Sequence, residues 1–155
     1  MTIKKKKMIK NLIAEIERLI DDAENIYREA IIELEAGKVR DSAEKVWCAT
    51  VRATDALIVA ATGRKPQTFR ERREEFKRLT SEPYVRKKKL FERYMSRVSD
   101  LHIESFYEGN CEPIEDTSRR IRETLIYIED LKPIIIKKSA ELGGGNARKD
   151  HRHRG

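Results

Sequence analysis

Aromatic residues, glycine and proline are scarce in this chain of 155 residues. Aromatic residues make up 6% of it, and there are seven glycines and four prolines. Turn-rich sandwiches and barrels use more of these residue types, so a sheet protein is disfavoured. Gln67 is the only glutamine, and few amides beside many charged residues are typical of thermophilic proteins. The composition therefore indicates a helical protein from a thermophilic source.

Cysteines and long apolar runs are also few. Cys48 and Cys111 cannot form a disulfide framework. No apolar run approaches the roughly 20 residues that a transmembrane helix needs. The basic start, MTIKKKKMIK, is followed by Glu15 and Glu17 and not by the apolar core of a signal peptide. We expect a cytoplasmic protein with no membrane contact. Phosphate-loop, dinucleotide and zinc-ligand motifs are absent, so we expect no cofactor and no metal.

Charged residues, in contrast, make up 39% of the chain and are unevenly distributed. The net charge is +7, but residues 64–97 alone carry +8, and residues 1–10 carry +5. Residues 11–63 and 98–142 are acidic, with −5 and −4. A concentrated basic segment of this kind is suited to a polyanion such as a nucleic acid.

Apolar residues recur at spacings of three and four along the chain, the pattern of amphipathic helices. The first helix is predicted from about residue 8 to 36, with Gly37 ending it. A capping box of Asp41 and Glu44 is predicted to begin the second helix, which ends at Gly63. Trp47 falls on the apolar stripe of that helix, so we expect it in the core.

The second half of the chain predicts three more helices. A second capping box, Thr68 with Glu71, begins the third. The fourth starts at Ser81-Glu82-Pro83 and stops at Gly109, and the fifth starts at Pro113 and is kinked or shortened by Pro133. The apolar stripe of the fifth helix is Ile114, Thr117, Ile121, Leu125, Ile128 and Leu131.

These patterns predict an all-α fold, an up-and-down bundle of about five helices. We expect one domain over residues 1–142. The glycine run 143–145 begins a disordered basic tail, 143–155.

One stretch, RVSDLH at 97–102, combines two residue types that serve chemistry on phosphates. His102 is the only histidine outside the tail, and histidine exchanges protons near neutral pH. Arg97 is a permanent cation suited to phosphate oxygens. The two lie about 140° apart on an α-helix, on either side of an apolar seam. The seam is Tyr94, Val98, Leu101 and Ser105. A second copy packed on this seam would bring two Arg–His sets together.

A structural role is the alternative for both residues. A histidine beside a helix seam is more often a hydrogen-bonded structural residue, and an arginine there often lays its aliphatic stem over the seam. Tyr107, at the end of the same helix, could stack on a base or cap the core.

The segment RVSDLHIESFYEG is similar to the Arg-x4–6-His motif of the HEPN superfamily, and the helix pattern of roughly residues 8–140 resembles archaeal stand-alone HEPN proteins. The resemblance implies a metal-independent endoribonuclease of toxin or defence type that works at the cleft of a homodimer. The resemblance also implies a mechanism in which the 2′-hydroxyl of the bound RNA attacks the adjacent phosphate. His102 would be the acid and base, and Arg97 would stabilise the charge that develops on the phosphate. Val98 departs from the polar residue that active members place after the arginine.

Binding of RNA or a nucleotide is predicted for the basic residues before the motif and for the aromatic residue after it. These candidates are Arg86, Lys87, Lys88, Lys89, Arg93 and Tyr107. The alternative function is a non-catalytic module that binds a nucleotide or nucleic acid, or that serves a nucleotidyltransferase. A nucleotidyltransferase or an antitoxin is therefore a candidate partner.

Overall fold

The computed structural model describes the backbone of residues 1–153 and the side chains of residues 1–144. This part of the chain is helical and contains no strand, so the predicted all-α bundle is confirmed. The elements in order are α1 (Ile3–Glu35), α2 (Val39–Thr62), α3 (Phe69–Leu79), α4 (Pro83–Arg86), α5 (Leu90–Arg97), a π-helix (Val98–Tyr107), α6 (Ile114–Arg122) and α7 (Thr124–His153). The predicted disordered tail, 143–155, falls almost wholly outside the described side chains and stays a prediction.

Helix α2 is the centre of the bundle, packed against α1, α7 and the π-helix. Its buried face is rich in small residues, which allow the neighbouring helices to approach closely. These are Ala43, Ala49, Ala53, Ala56 and Ala60. Helix α1 lies along α2 and buries its predicted stripe, including Ile16, Leu19 and Ala23. Gly37, with φ of +82°, forms the turn between them, as its position predicts.

The helix starts are predicted with mixed success. Helix α1 begins at Ile3, capped by Thr2, whose hydroxyl accepts from the Lys5 amide at 3.1 Å. Thr68 caps α3 as predicted and accepts from the Glu71 amide at 3.0 Å. The capping box at Asp41 and Glu44 is wrong, because α2 already begins at Val39. The Glu44 carboxylate instead contacts His102 of the π-helix.

The fourth predicted helix is divided into three elements. Lys89 adopts φ of +53°, a left-handed conformation that ends the short helix α4 and redirects the chain into α5. Val85 and Leu90, on the two sides of this break, are both buried. The burial of these two apolar side chains compensates for the conformational strain at Lys89 between them.

The fifth predicted helix is also divided, at Glu123 rather than at Pro133. Helix α7 is not shortened at Pro133, and Leu131 and Ile134 on either side of the proline are buried. Ile121, Ile128 and Leu131 of the predicted stripe are buried on the two sides of this break. Thr124 and Tyr127 are buried with them, whereas the predicted stripe residue Leu125 is exposed.

Four aromatic rings fill the middle of the core. Trp47 lies there as predicted, with its ring centroid 5.6 Å from that of Tyr94. Phe76 lies 5.4 Å from Tyr94 and 6.5 Å from Tyr127, both in edge contacts. Within the described part of the chain, every helix is too short or too polar to cross a bilayer.

Candidate functional site

The seam predicted to face a second copy is buried inside the single chain. Tyr94, Val98, Leu101 and Ser105 are all buried, packed among the core residues of the bundle. The expectation that a second copy packs on this seam is therefore wrong, because the chain's own helices already cover it. Arg97 and His102 lie on opposite sides of the seam, and each contacts a different part of the bundle.

Arg97 is the last residue of α5 and points towards α6 and α7. Its Nη1 donates to the Thr124 hydroxyl at 2.6 Å and to the Arg120 carbonyl at 3.3 Å. The guanidinium carbon lies 5.4 Å from the centroid of the Tyr127 ring, a cation–π contact. The side chain is thus held by neutral groups.

The burial of Arg97 is nearly complete, with 7% of the residue exposed. Burial, and to a smaller extent the nearby Arg93, lowers the pKa of Arg97 to about 10. No carboxylate of the described residues forms an ion pair with Arg97, and its buried Nε has no hydrogen-bond partner. Arg97 is therefore a buried cation with no carboxylate of the described residues at ion-pair distance, and the attraction of the nearby Glu123 offsets only part of the effect of burial on its pKa.

A cavity of about 280 Å³ adjoins Arg97. It is lined by Arg93, Ser96, Arg97, Leu101, Arg120, Glu123 and Ile126. Three arginines therefore border one small space, together with one carboxylate and two aliphatic side chains. Such a convergence of guanidinium groups is suited to an anion.

Two carboxylates outside the lining position the other arginines. Asp130 accepts from Arg93 Nη1 at 2.8 Å, and Asp100 lies 3.5 Å from Arg120 Nε. The Ser96 hydroxyl also donates to Asp100, at 3.1 Å. Each arginine is held through one nitrogen and keeps further N–H donors for a ligand.

His102 lies on the π-helix and faces α2. Its Nδ1 is 3.1 Å from Glu44 Oε2, and its ring stacks on Trp47 with centroids 5.3 Å apart. Because a carboxylate only accepts hydrogen bonds, Nδ1 is the donor in this contact. The side chain is 37% exposed. His102 does not line the Arg97 cavity.

The predicted binding residues fall into two groups. Arg93 lines the cavity, and its Nη1 also donates to the Lys88 carbonyl at 3.3 Å. The run from Arg86 to Lys89 is exposed, and Arg93 connects it to the cavity. Tyr107, 73% exposed, lies at the end of the π-helix, and its carbonyl accepts from Arg40. Tyr107 is not among the cavity residues.

Arg120, Glu123 and Thr124 belong to the site but were not predicted from the sequence. They lie on both sides of the break between α6 and α7. Arg120 and Thr124 are four residues apart, and this spacing places two residues on the same face of a helix. The spacing could therefore have predicted that they lie close together. Glu44 was assigned to a helix cap, so its contact with His102 was also missed.

The family model of the archaeal PaREP1/PaREP8 family matches residues 18–125, more than two thirds of the chain. This chain belongs to the PaREP1/PaREP8 family. The matched region contains Arg97, His102 and every cavity residue except Ile126. No curated protein and no solved structure matches this chain.

The site of this PaREP1/PaREP8 protein offers hydrogen-bond donors and positive charge. Among the described residues, no group of His, Cys, Asp or Glu side chains could hold a metal ion. Cys48 and Cys111 are free thiols, and burial raises the pKa of each. Neither thiol is therefore activated as a nucleophile.

Proposed function

We propose that this PaREP1/PaREP8 protein binds a phosphate-bearing ligand, RNA or a nucleotide, in the Arg97 cavity. The observation that supports the proposal is a buried arginine without a carboxylate partner beside a cavity bordered by two more arginines. A buried charge is costly unless an opposite charge and hydrogen bonds compensate it. A bound phosphate would supply both.

The charge distribution supports the same ligand. The exposed basic run at 86–89 adjoins the cavity through Arg93, so a polyanion could contact both at once. The HEPN resemblance of RVSDLHIESFYEG favours RNA over other polyanions. The proposal also includes the other expectations that the HEPN resemblance implies. These are membership of the HEPN superfamily, a homodimer, a nucleotidyltransferase or antitoxin as partner, and a location in the cytoplasm.

Binding of single-stranded RNA that carries a phosphate at one end and a fluorescent label at the other, followed by fluorescence anisotropy, tests the proposal. Arg97→Met keeps an unbranched apolar stem like that of the arginine but removes the guanidinium group with its charge and donors. We expect it to weaken binding by about 10- to 100-fold, the range for a hydrogen bond to a charged group. Arg18→Met, on the exposed side of α1, is the matched control and should bind like the wild type.

Equal affinities of Arg97→Met, Arg18→Met and the wild type would contradict the proposal. Circular dichroism melting of each variant separates a loss of binding from a loss of fold.

Metal-independent RNA cleavage is a second candidate, favoured by the geometry of His102. The Glu44 carboxylate fixes the ring through Nδ1 and leaves Nε2 of a partly exposed side chain to exchange a proton. We place binding before cleavage for two reasons. His102 faces α2 and not the Arg97 cavity, and Val98 stands where active HEPN members have a polar residue.

Incubation of a labelled structured RNA in excess EDTA distinguishes the two candidates. A nuclease should cleave and leave 2′,3′-cyclic phosphate ends, His102→Ala should abolish cleavage, and Glu44→Gln should slow it. Both variants should retain RNA affinity. Wild-type protein that binds RNA without cleaving it would leave binding as the function.

A further inference from the structure

We infer that the Arg97 cavity takes a phosphomonoester, the terminal phosphate of a nucleotide or of an RNA end, and not an internal phosphodiester. This inference rests on the proposed function and specifies its ligand. Three features of the cavity lead to it: the depth of Arg97, the arrangement of donors and the mixed lining.

The depth of Arg97 restricts how a ligand can reach it. With 93% of the residue buried, the guanidinium contacts only a group that enters the cavity. The cavity of about 280 Å³ opens to the surface beside the exposed Ile126, and an internal phosphate, which carries chain on both sides, would have to bend both chain segments into it to reach Arg97. A terminal phosphate enters end-on with one attached group.

The donors surround the space from separate elements. Arg93 and Arg97 extend from α5, and Arg120 extends from α6. A terminal phosphate has three oxygens that accept hydrogen bonds and a charge near −2 at neutral pH. An internal phosphodiester has two such oxygens and one charge. Three guanidinium groups with unused donors match the monoester better.

The carboxylates near the site leave this match intact. Asp130 and Asp100 bind Arg93 and Arg120 from outside the cavity lining. Glu123 is the one carboxylate in the lining, against three arginines. Arg93 and Arg120 are thus each paired with a carboxylate, and Arg97 is the arginine of the lining without one, so a bound anion would balance Arg97 and share the unused donors of the other two.

The remaining lining suits the group attached to the phosphate. Leu101 is buried, whereas Ile126 is exposed and lines the same space. Ligand sites commonly combine a few placed polar groups with such aliphatic walls. A sugar or base attached to the phosphate would contact Ile126, and the Glu123 carboxylate could accept from sugar hydroxyls.

The test compares matched ligands that differ only in a terminal phosphate. One RNA sequence is prepared with a 5′-phosphate, with a 3′-phosphate, or with hydroxyls at both ends, and AMP is compared with adenosine. Affinities are measured by calorimetry for the wild type, Arg97→Met and Arg18→Met. We expect a terminal phosphate to increase affinity about tenfold or more, as a charge-assisted contact should.

Arg97→Met should remove this preference and leave the affinity for hydroxyl-ended RNA near that of the wild type. Arg18→Met should keep the preference. Binding of AMP but of no RNA end would identify the free nucleotide as the source of the phosphate. Preference for one RNA end without AMP binding would identify RNA as the source. Either result supports the phosphomonoester.

Two other results separate the inference from the proposed function. If all three RNAs bind equally and Arg97→Met weakens each to the same extent, the cavity contacts internal phosphates. The inference is then overturned and the proposed function stands. If neither RNA nor AMP binds to wild-type protein that melts cooperatively, both fail.

Discussion

Arg97 and Arg72 are both largely buried arginines, but they have opposite surroundings. Arg72 forms two hydrogen bonds with the carboxylate of Asp55, at 2.7 and 3.3 Å. Asp55 is fully buried, and burial raises its pKa although Arg72 opposes that shift. Arg97 has only neutral partners. One arginine completes a buried ion pair, and the other pairs with no carboxylate of the described residues.

Replacement of Arg97 should therefore cost little stability. Arg97→Met removes a desolvated cation and leaves no carboxylate unpaired, and such replacements are often neutral or stabilising. We expect the free energy of unfolding to stay within about 1 kcal/mol of wild type or to rise. Urea denaturation measures this. A loss above about 3 kcal/mol would identify Arg97 as a structural residue.

Replacement of Arg72 should have the opposite effect. Arg72→Met leaves Asp55 buried without its partner, which typically costs about 3–5 kcal/mol. Arg70→Met is the control, because Arg70 is 80% exposed and pairs only with the exposed Glu74. The control should change stability by less than about 0.5 kcal/mol. Similar losses in both variants would show that the buried pair does not stabilise the fold.

The π-helix is the element that positions the motif, and α2 fixes its end. Arg40 Nε donates to the Phe106 carbonyl at 2.6 Å, and Nη2 donates to the Tyr107 carbonyl at 3.3 Å. These carbonyls belong to the last turn, where intrahelical partners are missing. Gly109 follows with φ of +74° and lies against the Arg40 guanidinium.

Alanine at Gly109 should disturb this cap. An added Cβ would lie 3.1 Å from Arg40 Nη1, so the arginine would have to move. Gly37→Ala is the matched control, with φ of +82° and open space around the added Cβ. Each variant should lose about 1–2 kcal/mol from the left-handed conformation. Gly109→Ala should lose about 0.5–1.5 kcal/mol more, the value of one hydrogen bond. Equal thermal shifts would argue against the cap.

At the scale of the whole molecule, the distribution of charge sets how a polyanion is bound. The basic run 86–89 and the N-terminal run Lys4–Lys7 each carry four positive charges. Neither run lines the cavity, but the Lys88 carbonyl of the first accepts a hydrogen bond from Arg93, which does line it. Their contributions to RNA affinity should therefore differ.

Substitution of all four residues in each run by alanine tests this difference. The plot of log affinity against log salt should flatten by about 0.7 for each phosphate contact that is lost. We expect a clear decrease for the 86–89 variant and little change for the Lys4–Lys7 variant. Equal decreases of the salt dependence in the two variants would mean that the RNA is attracted by net charge alone and does not follow one particular surface.

The periodicity of apolar residues determined the helical fold and the core position of Trp47. These properties depend on local sequence, because an apolar stripe must be buried whatever covers it. The choice of Arg97 and His102 also came from the sequence, from the scarcity of histidine and the nearby basic segment. Whether these two residues bind or cleave RNA stays a prediction.

Packing between distant elements decided the rest. The breaks at Lys89 and Glu123 and the burial of Thr124 are features of the packed bundle that the apolar spacing did not predict. His102 meets Glu44 across 58 residues, and Arg97 meets Thr124 across 27. The seam that seemed available to a second copy is covered by the chain itself. The sequence singled out Arg97 and His102 as candidates, and only the tertiary structure decided what surrounds each one, because contacts at such separations depend on how the helices pack.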